Sequence, residues 1–124
     1  MGNGKTIVVV AQDLFFAVRL TDALHVMGFR GVTVQDETEL RSTLSRERPH
    51  LVILDLQAHG VQPQSVVNAA RESVPGRVVP VLAFGPHADA QKRNEAVGAG
   101  CQRVVLKSVI TSDLPLLVKS MLRV

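Results

Sequence analysis

The chain is poor in aromatic residues. Phe15, Phe16, Phe29 and Phe84 are the whole complement, and Trp and Tyr are absent. This argues against a base-stacking nucleic-acid platform, which needs exposed rings. Cysteine is nearly absent as well. Cys101 stands alone, so neither an intramolecular disulfide nor a zinc cage of cysteines can form, and a reducing cytoplasm is the expected location. No apolar run approaches the ~20 residues that span a bilayer. The polar start Met1-Gly2-Asn3-Gly4-Lys5 lacks the apolar region of a signal peptide, and Thr6 alone does not support a myristoylation motif. There is no Lys/Arg block either. The 14 basic and 11 acidic residues are scattered. A net charge of +3 and an isoelectric point near 9.6 permit an acidic partner without demanding one. Repeats, linkers and low-complexity tracts are missing. Finally, Gln12-Asp13-Leu14-Phe15 occupies the place where a phosphate-cradling glycine loop would follow a first strand. A metabolic enzyme built on such a loop is therefore not expected.

What is present is an ordinary globular composition, 46% hydrophobic and 20% charged over 124 residues. That is enough for one domain, taken as 1–124, with one real core. Thr6 to Ala11 is a β-branched run and reads as a buried strand. Asp13 suits the N-cap of a helix extending to Met27, with Gly28 as its C′ residue. Gly31 to Val34 is a short second strand. Asp36 with Glu39 opens an amphipathic helix carrying Leu40 and Leu44. Leu51 to Leu54 is a third strand, apolar on both faces, that ends in Asp55. Pro63 suits the first turn of a helix with Val66, Val67 and Ala70. Val78 to Phe84 contains a fourth strand, and a more polar helix runs from Asp89 to Ala99. Arg103 to Lys107 is a fifth strand. Thr111-Ser112-Asp113 opens the last helix, with Pro115 in its first turn.

Strict alternation of strand and helix predicts a parallel sheet with helices on both faces. Right-handed crossovers favour the doubly wound, flavodoxin-like (βα)5 α/β fold, three layers thick, with strand order 2-1-3-4-5. In such sheets ligands and chemistry gather at the carboxyl ends of the strands. That draws attention to Asp55, although an Asp in this position can also simply cap a turn.

The layout resembles the receiver domain of two-component response regulators over essentially the whole chain. Pro49-His50-Leu51-Val52-Ile53-Leu54-Asp55-Leu56 is similar to the family's "PDLVLLDL" around its phospho-acceptor. Pro80-Val81-Leu82-Ala83-Phe84 is similar to its fourth strand. Ala99-Gly100-Cys101, followed by Val104-Val105-Leu106-Lys107, matches the approach to its conserved-type lysine. The resemblance implies Asp55 as phospho-acceptor and Lys107 as phosphate partner. It also implies a kinase, effector or scaffold as partner.

The same resemblance exposes departures. An active receiver binds Mg²⁺ through an acidic pair after strand one together with the acceptor. A hard dication neutralises clustered carboxylates and the charge on the transferred phosphoryl group. Here the pair is Ala11 and Gln12. Asp13 follows, read as a helix cap in preference to a metal ligand. The Ser/Thr position after strand four is Gly85, the aromatic switch position in strand five is Val104, and Ser108 replaces the proline after the lysine, so that a trans bond is expected. With the acidic pair gone, Lys107 is expected to ion-pair with Asp55.

These readings point to a degenerate, or pseudo-, receiver that signals by protein–protein contact, without enzyme activity and with no cofactor expected. The alternative is a functional receiver phosphorylated on Asp55, with Mg²⁺ held weakly by Asp55, Asp13 and the Gln57 carbonyl. A further alternative is nucleic-acid binding through a basic face. Lys92, Arg93, Arg103, Lys119 and Arg123 form that face, which reads first as solvated, and otherwise as a docking or homodimer surface on helix four, strand five and helix five. No membrane partner is expected. His59 and His87 share the rim of Asp55, where metal chelation is the sharper reading and solvation the plainer one. His25 and His50 read as surface or boundary residues, and Cys101 as a packing residue.

Overall fold

The computed structural model describes residues 4–122. Five strands, β1 (Thr6–Val10), β2 (Arg30–Val34), β3 (Leu51–Asp55), β4 (Val81–Gly85) and β5 (Arg103–Leu106), alternate with five helices. The helices are α1 (Leu14–Val26), α2 (Glu37–Glu47), α3 (Pro63–Ser73), α4 (Ala90–Ala99) and α5 (Lys107–Leu122). The sheet order is β2-β1-β3-β4-β5, and every pair is parallel. This is the doubly wound architecture that the alternation predicts.

The strands are apolar on both faces because both faces are covered. Val8, Val10, Val52, Leu54, Val81 and Ala83 pack under α2, α3 and α4. Their sequence neighbours Ile7, Val9, Leu51, Ile53, Leu82 and Phe84 pack under α1 and α5. The period-two alternation thus splits one β-branched tract between two cores. Local signals set the helix starts. Asp13 caps α1 by accepting from the Phe16 N–H at 3.2 Å. Asp36 caps α2 through the Glu39 N–H at 2.8 Å, and Glu39 reaches back to the Gln35 N–H, also at 2.8 Å. At the edge, Arg30 of β2 makes a two-pronged ion pair with Glu47 of α2, at 3.0 and 3.1 Å. Arg30 holds the Glu47 carboxyl below its ordinary value.

The later strand ends are set by particular residues. Within the stretch from residue 78 that the sequence marks as containing a strand, β4 begins at Val81. Val78 is exposed, and Pro80 has no N–H to give a neighbouring strand. β5 ends at Leu106, and Lys107 is already helical. The helix breaks at Asp113 (φ −118°, ψ 19°), and Pro115 follows in the first turn after the break. The cap signals at residues 111–113 therefore mark a restart. The turn before it is held by burial of Ile110, which no capping pattern announces.

Candidate functional site

The carboxyl ends of the strands open onto a cleft of about 380 Å³, lined by Gln12, Asp13, Asp55, Gln57, Ala58, His59 and Lys107. Asp55 closes β3 and is only 5% exposed. One carboxylate oxygen accepts the Gln57 N–H at 2.9 Å. Burial pushes its pKa up. The Gln57 hydrogen bond and the nearby Lys107 and Lys92 charges oppose this, and Asp13 adds to it. Asp55 thus closes the third strand, as the sequence reading has it, and the structure adds that it is buried beside a cleft it shares with Asp13.

The end of β1 is different. Val10 pairs with Leu54, so the next residue, Ala11, stands level with Asp55 and is fully buried. It has no side-chain donor. Gln12 carries one, but its amide is spent on backbone. The Nε2 group donates to the carbonyls of Gln35 (3.1 Å) and His59 (2.8 Å), while Oε1 accepts the His59 N–H at 2.9 Å. One neutral side chain thus ties the loops after β1, β2 and β3 together. A further tie runs from the Gln62 N–H to the Glu37 carboxylate, at 2.9 Å. Neither tie is legible in the sequence, because backbone partners leave no residue-type signature.

Lys107 lines the cleft but does not form the expected ion pair with Asp55. The ion pairs among the described residues are Arg30–Glu47 and Arg46–Glu47. The Lys107 ammonium instead lies 4.5 Å from the centroid of the Phe16 ring. Phe16 in turn packs on Phe84, with centroids 5.3 Å apart. The ring face offers the cation an electrostatic partner that requires no desolvated carboxylate. Lys107 still lowers the Asp55 pKa through space.

Gly85 ends β4. A Cβ there would sit 3.3 Å from Leu56 Cδ1 and 3.5 Å from Arg93 Cγ, a tight surround that admits a side chain if Leu56 gives by a few tenths of an ångström. Arg93 donates to the Pro86 carbonyl and, at 3.1 Å, to that of His87. Lys92 donates to the Leu56 carbonyl at 3.3 Å. Both residues were grouped with an outward basic face. The structure turns their heads toward the loops around the cleft, a role that helix spacing alone did not disclose. Arg103 and Lys119 are exposed, and Arg123 lies outside the described residues. Val104 is half-buried against the α2–α4 core.

Asp13, Asp55 and Gln57 line the cleft, with one Asp13 oxygen engaged as the α1 cap; Ala11 offers no donor and the Gln12 amide is bonded to backbone, so the end of β1 gives a divalent cation fewer oxygens than an acidic pair would. Among the described residues no group of three His, Cys, Asp or Glu side chains converges on a common point. This also corrects the chelate considered for Asp55, His59 and His87. Both of those histidines are exposed. His50 is half-buried, as a boundary residue should be, but its Nδ1 is buried without a partner. Burial, reinforced by Arg77 and Lys5, lowers its pKa. Cys101 is buried in the α2–α4 core, and burial pushes its thiol up to about 11. No helix among the described residues is long and apolar enough to cross a membrane.

No protein-family model matches the chain. Among curated proteins, it is 27% identical over 126 aligned residues to the transcriptional regulatory protein PrrA of Mycobacterium bovis, covering 99% of this chain and 53% of PrrA. It is 25% identical over 103 residues to a 76.5 kDa protein of Thiocystis violacea, covering 83% of this chain and 15% of that protein. The chain thus spans about half of one relative's length and much less of the other's. Solved structures align along nearly the full chain. A response regulator receiver domain protein (CheY-like) from Methanospirillum hungatei gives a TM-score of 0.80 at 18% identity, covering 96% of this chain and 94% of that one. The receiver domain of the sensor histidine kinase PA1611 from Pseudomonas aeruginosa, with a magnesium ion in its active-site cleft, gives 0.82 at 19% identity and full coverage of both. The receiver domain of NtrX from Brucella abortus gives 0.80 at 19%, covering 94% of this chain and 98% of that one. The chain has the fold of the response-regulator receiver domains.

Proposed function

We propose that this chain is a degenerate receiver domain of two-component signalling. It works by binding a signalling protein, a kinase, effector or scaffold, and not by ordinary Mg²⁺-dependent phosphotransfer. One observation carries the reading. The acidic pair that would recruit the metal is replaced by a buried Ala11 and by a Gln12 whose amide is consumed in holding three loops. Asp55 remains but faces no cation that could neutralise it directly. Gly85 and Val104 supply neither the hydroxyl nor the ring of a phosphorylation-driven switch. The contact surface we favour is the α4–β5–α5 side, where Arg103 and Lys119 are exposed and suit an acidic partner. Catalysis by the chain itself and nucleic-acid binding have no supporting feature beyond the mild positive charge. A cytoplasmic location suits a single reduced cysteine.

The second reading is a receiver still phosphorylated on Asp55, with Asp13 and the Gln57 carbonyl assisting. It is favoured by the shared cleft. Backbone NMR during titration with Mg²⁺ and then beryllofluoride separates the two. The degenerate reading expects the Asp55, Gln57, Gly85 and Lys107 amides to stay in place through both additions. Saturable shifts that vanish in Asp55→Asn would establish the second reading.

A further inference from the structure

Helix α1 buries one side and exposes apolar residues among charged ones on the other. Its inner side, Phe16, Ala17, Leu20 and Leu24, is buried against the sheet and α5. Its outer side carries Leu14 (54% exposed), Phe15 (89%), Val18 (54%) and Val26 (90%). The outer faces of α2 and α3 are polar, with Arg41 and Arg46 on α2 and Arg71 and Glu72 on α3, while α4 and α5 each expose one large apolar residue, Val97 (61%) and Leu116 (72%). Exposed apolar residues gathered on one helix face mark a contact site. One of only four aromatic residues stands almost fully exposed here.

The charges within this patch indicate what covers it. Arg19 and Asp22 lie on the same outward side, both exposed. Neither belongs to an ion pair among the described residues. Their spacing is symmetric with that of the apolar residues. When a second α1 lies antiparallel across the first, a two-fold axis passing between Leu20 and Thr21 brings Phe15 opposite Val26 and Arg19 opposite Asp22. Each contact then occurs twice, as a closed two-fold interface requires. A partner helix of unrelated sequence would need to supply both charges in reverse order; a second copy does so by construction.

We propose that the outer face of α1 is a self-association surface on which two copies of this chain pair antiparallel, with Phe15 in contact with Val26 and Arg19 with Asp22 of the second copy. The patch is one helix wide, so the dimer is weak and concentration-dependent. It is separate from the α4–β5–α5 side and does not depend on the chemistry at Asp55.

Sedimentation equilibrium over micromolar to millimolar protein, paired with amide shifts on dilution, tests this. We expect a monomer–dimer equilibrium with dilution shifts centred on α1. Phe15→Asp should weaken association by about tenfold or more. Because Phe15 is solvent-exposed, this variant keeps the fold. Arg19→Asp alone should weaken the dimer by opposing like charges, and adding Asp22→Arg should restore it. A chain that stays monomeric throughout overturns the proposal and leaves the face to a different protein. It is equally overturned by dimerisation that maps to α4, β5 and α5, or by a charge reversal that the second substitution does not repair.

Discussion

The ends of β1 and β3 stand side by side in the sheet and treat polarity in opposite ways. β3 delivers a carboxylate into a nearly closed position and gives it one N–H and the fields of two nearby lysines. β1 delivers a methyl group and then a neutral amide whose nitrogen and oxygen are both bonded to backbone. In one case a charge is presented to the cleft. In the other, a neutral side chain serves connectivity. Neighbouring strand ends of one sheet thus meet opposite needs, and the oxygens that the neighbours leave free set what such a cleft can hold.

The most disruptive way to break this contrast is to place a second carboxylate at the end of β1. Ala11→Asp would bury an unpaired charge level with Asp55. We expect a loss of about 3 kcal/mol or more in metal-free buffer. Millimolar Mg²⁺ should recover part of the loss, read as thermal unfolding with and without chelator. A moderate loss is expected from Gln12→Ala, which cuts the tie between the loops. Its hydrogen bonds are partly exposed, so the cost should be about 1–2 kcal/mol in urea unfolding. Faster hydrogen exchange at the His59 amide should accompany it, with little change at Gln57.

Smaller still, and opposite in sign, is Asp55→Asn. Burial raises the Asp55 pKa on folding, so the native state holds the proton more tightly than the unfolded chain does. The penalty is absent below the unfolded value of about 3.9 and grows as pH rises through the native value. The Asn carbonyl can keep the Gln57 N–H bond. The variant should therefore melt a few degrees higher at pH 7 and match the parent at about pH 3. A lower midpoint at pH 7 would show that the carboxylate is better compensated than the geometry indicates. The smallest effect concerns the far edge of the sheet. Glu47→Gln should cost slight stability at neutral pH, because Arg30 lowers the Glu47 pKa. That cost should disappear as pH falls below the ordinary glutamate range.

The fold was legible because its signals are local and repeated. Val8 and Val9 alternate between two cores, Asp13 and Asp36 cap helices, and Gly28 stops one at φ 90°. Asp55 was legible for the same reason, as an abrupt carboxylate closing an apolar run. The rest of the site was not, because it depends on where long side chains go. The sequence pairs Lys107 with Asp55, and the ring face it meets instead depends on the packing of Phe16 on Phe84. Lys92 and Arg93 read as surface charge on α4, yet they reach carbonyls of Leu56, Pro86 and His87. The restart of α5 was anticipated at Pro115, whereas the turn from Lys107 to Ser112 was hidden behind the β-branched pair Val109-Ile110.

Cys101 carries a practical consequence. Its thiol is buried and, with a pKa near 11, almost wholly protonated at neutral pH, so it is shielded from alkylation twice over. Both shields drop when the seam between α4 and β5 parts. A single native residue therefore acts as a clock for that event. The rate of thiol labelling under native conditions reports how often this side of the molecule breathes open. Docking of a partner there should slow that rate, with no engineered probe.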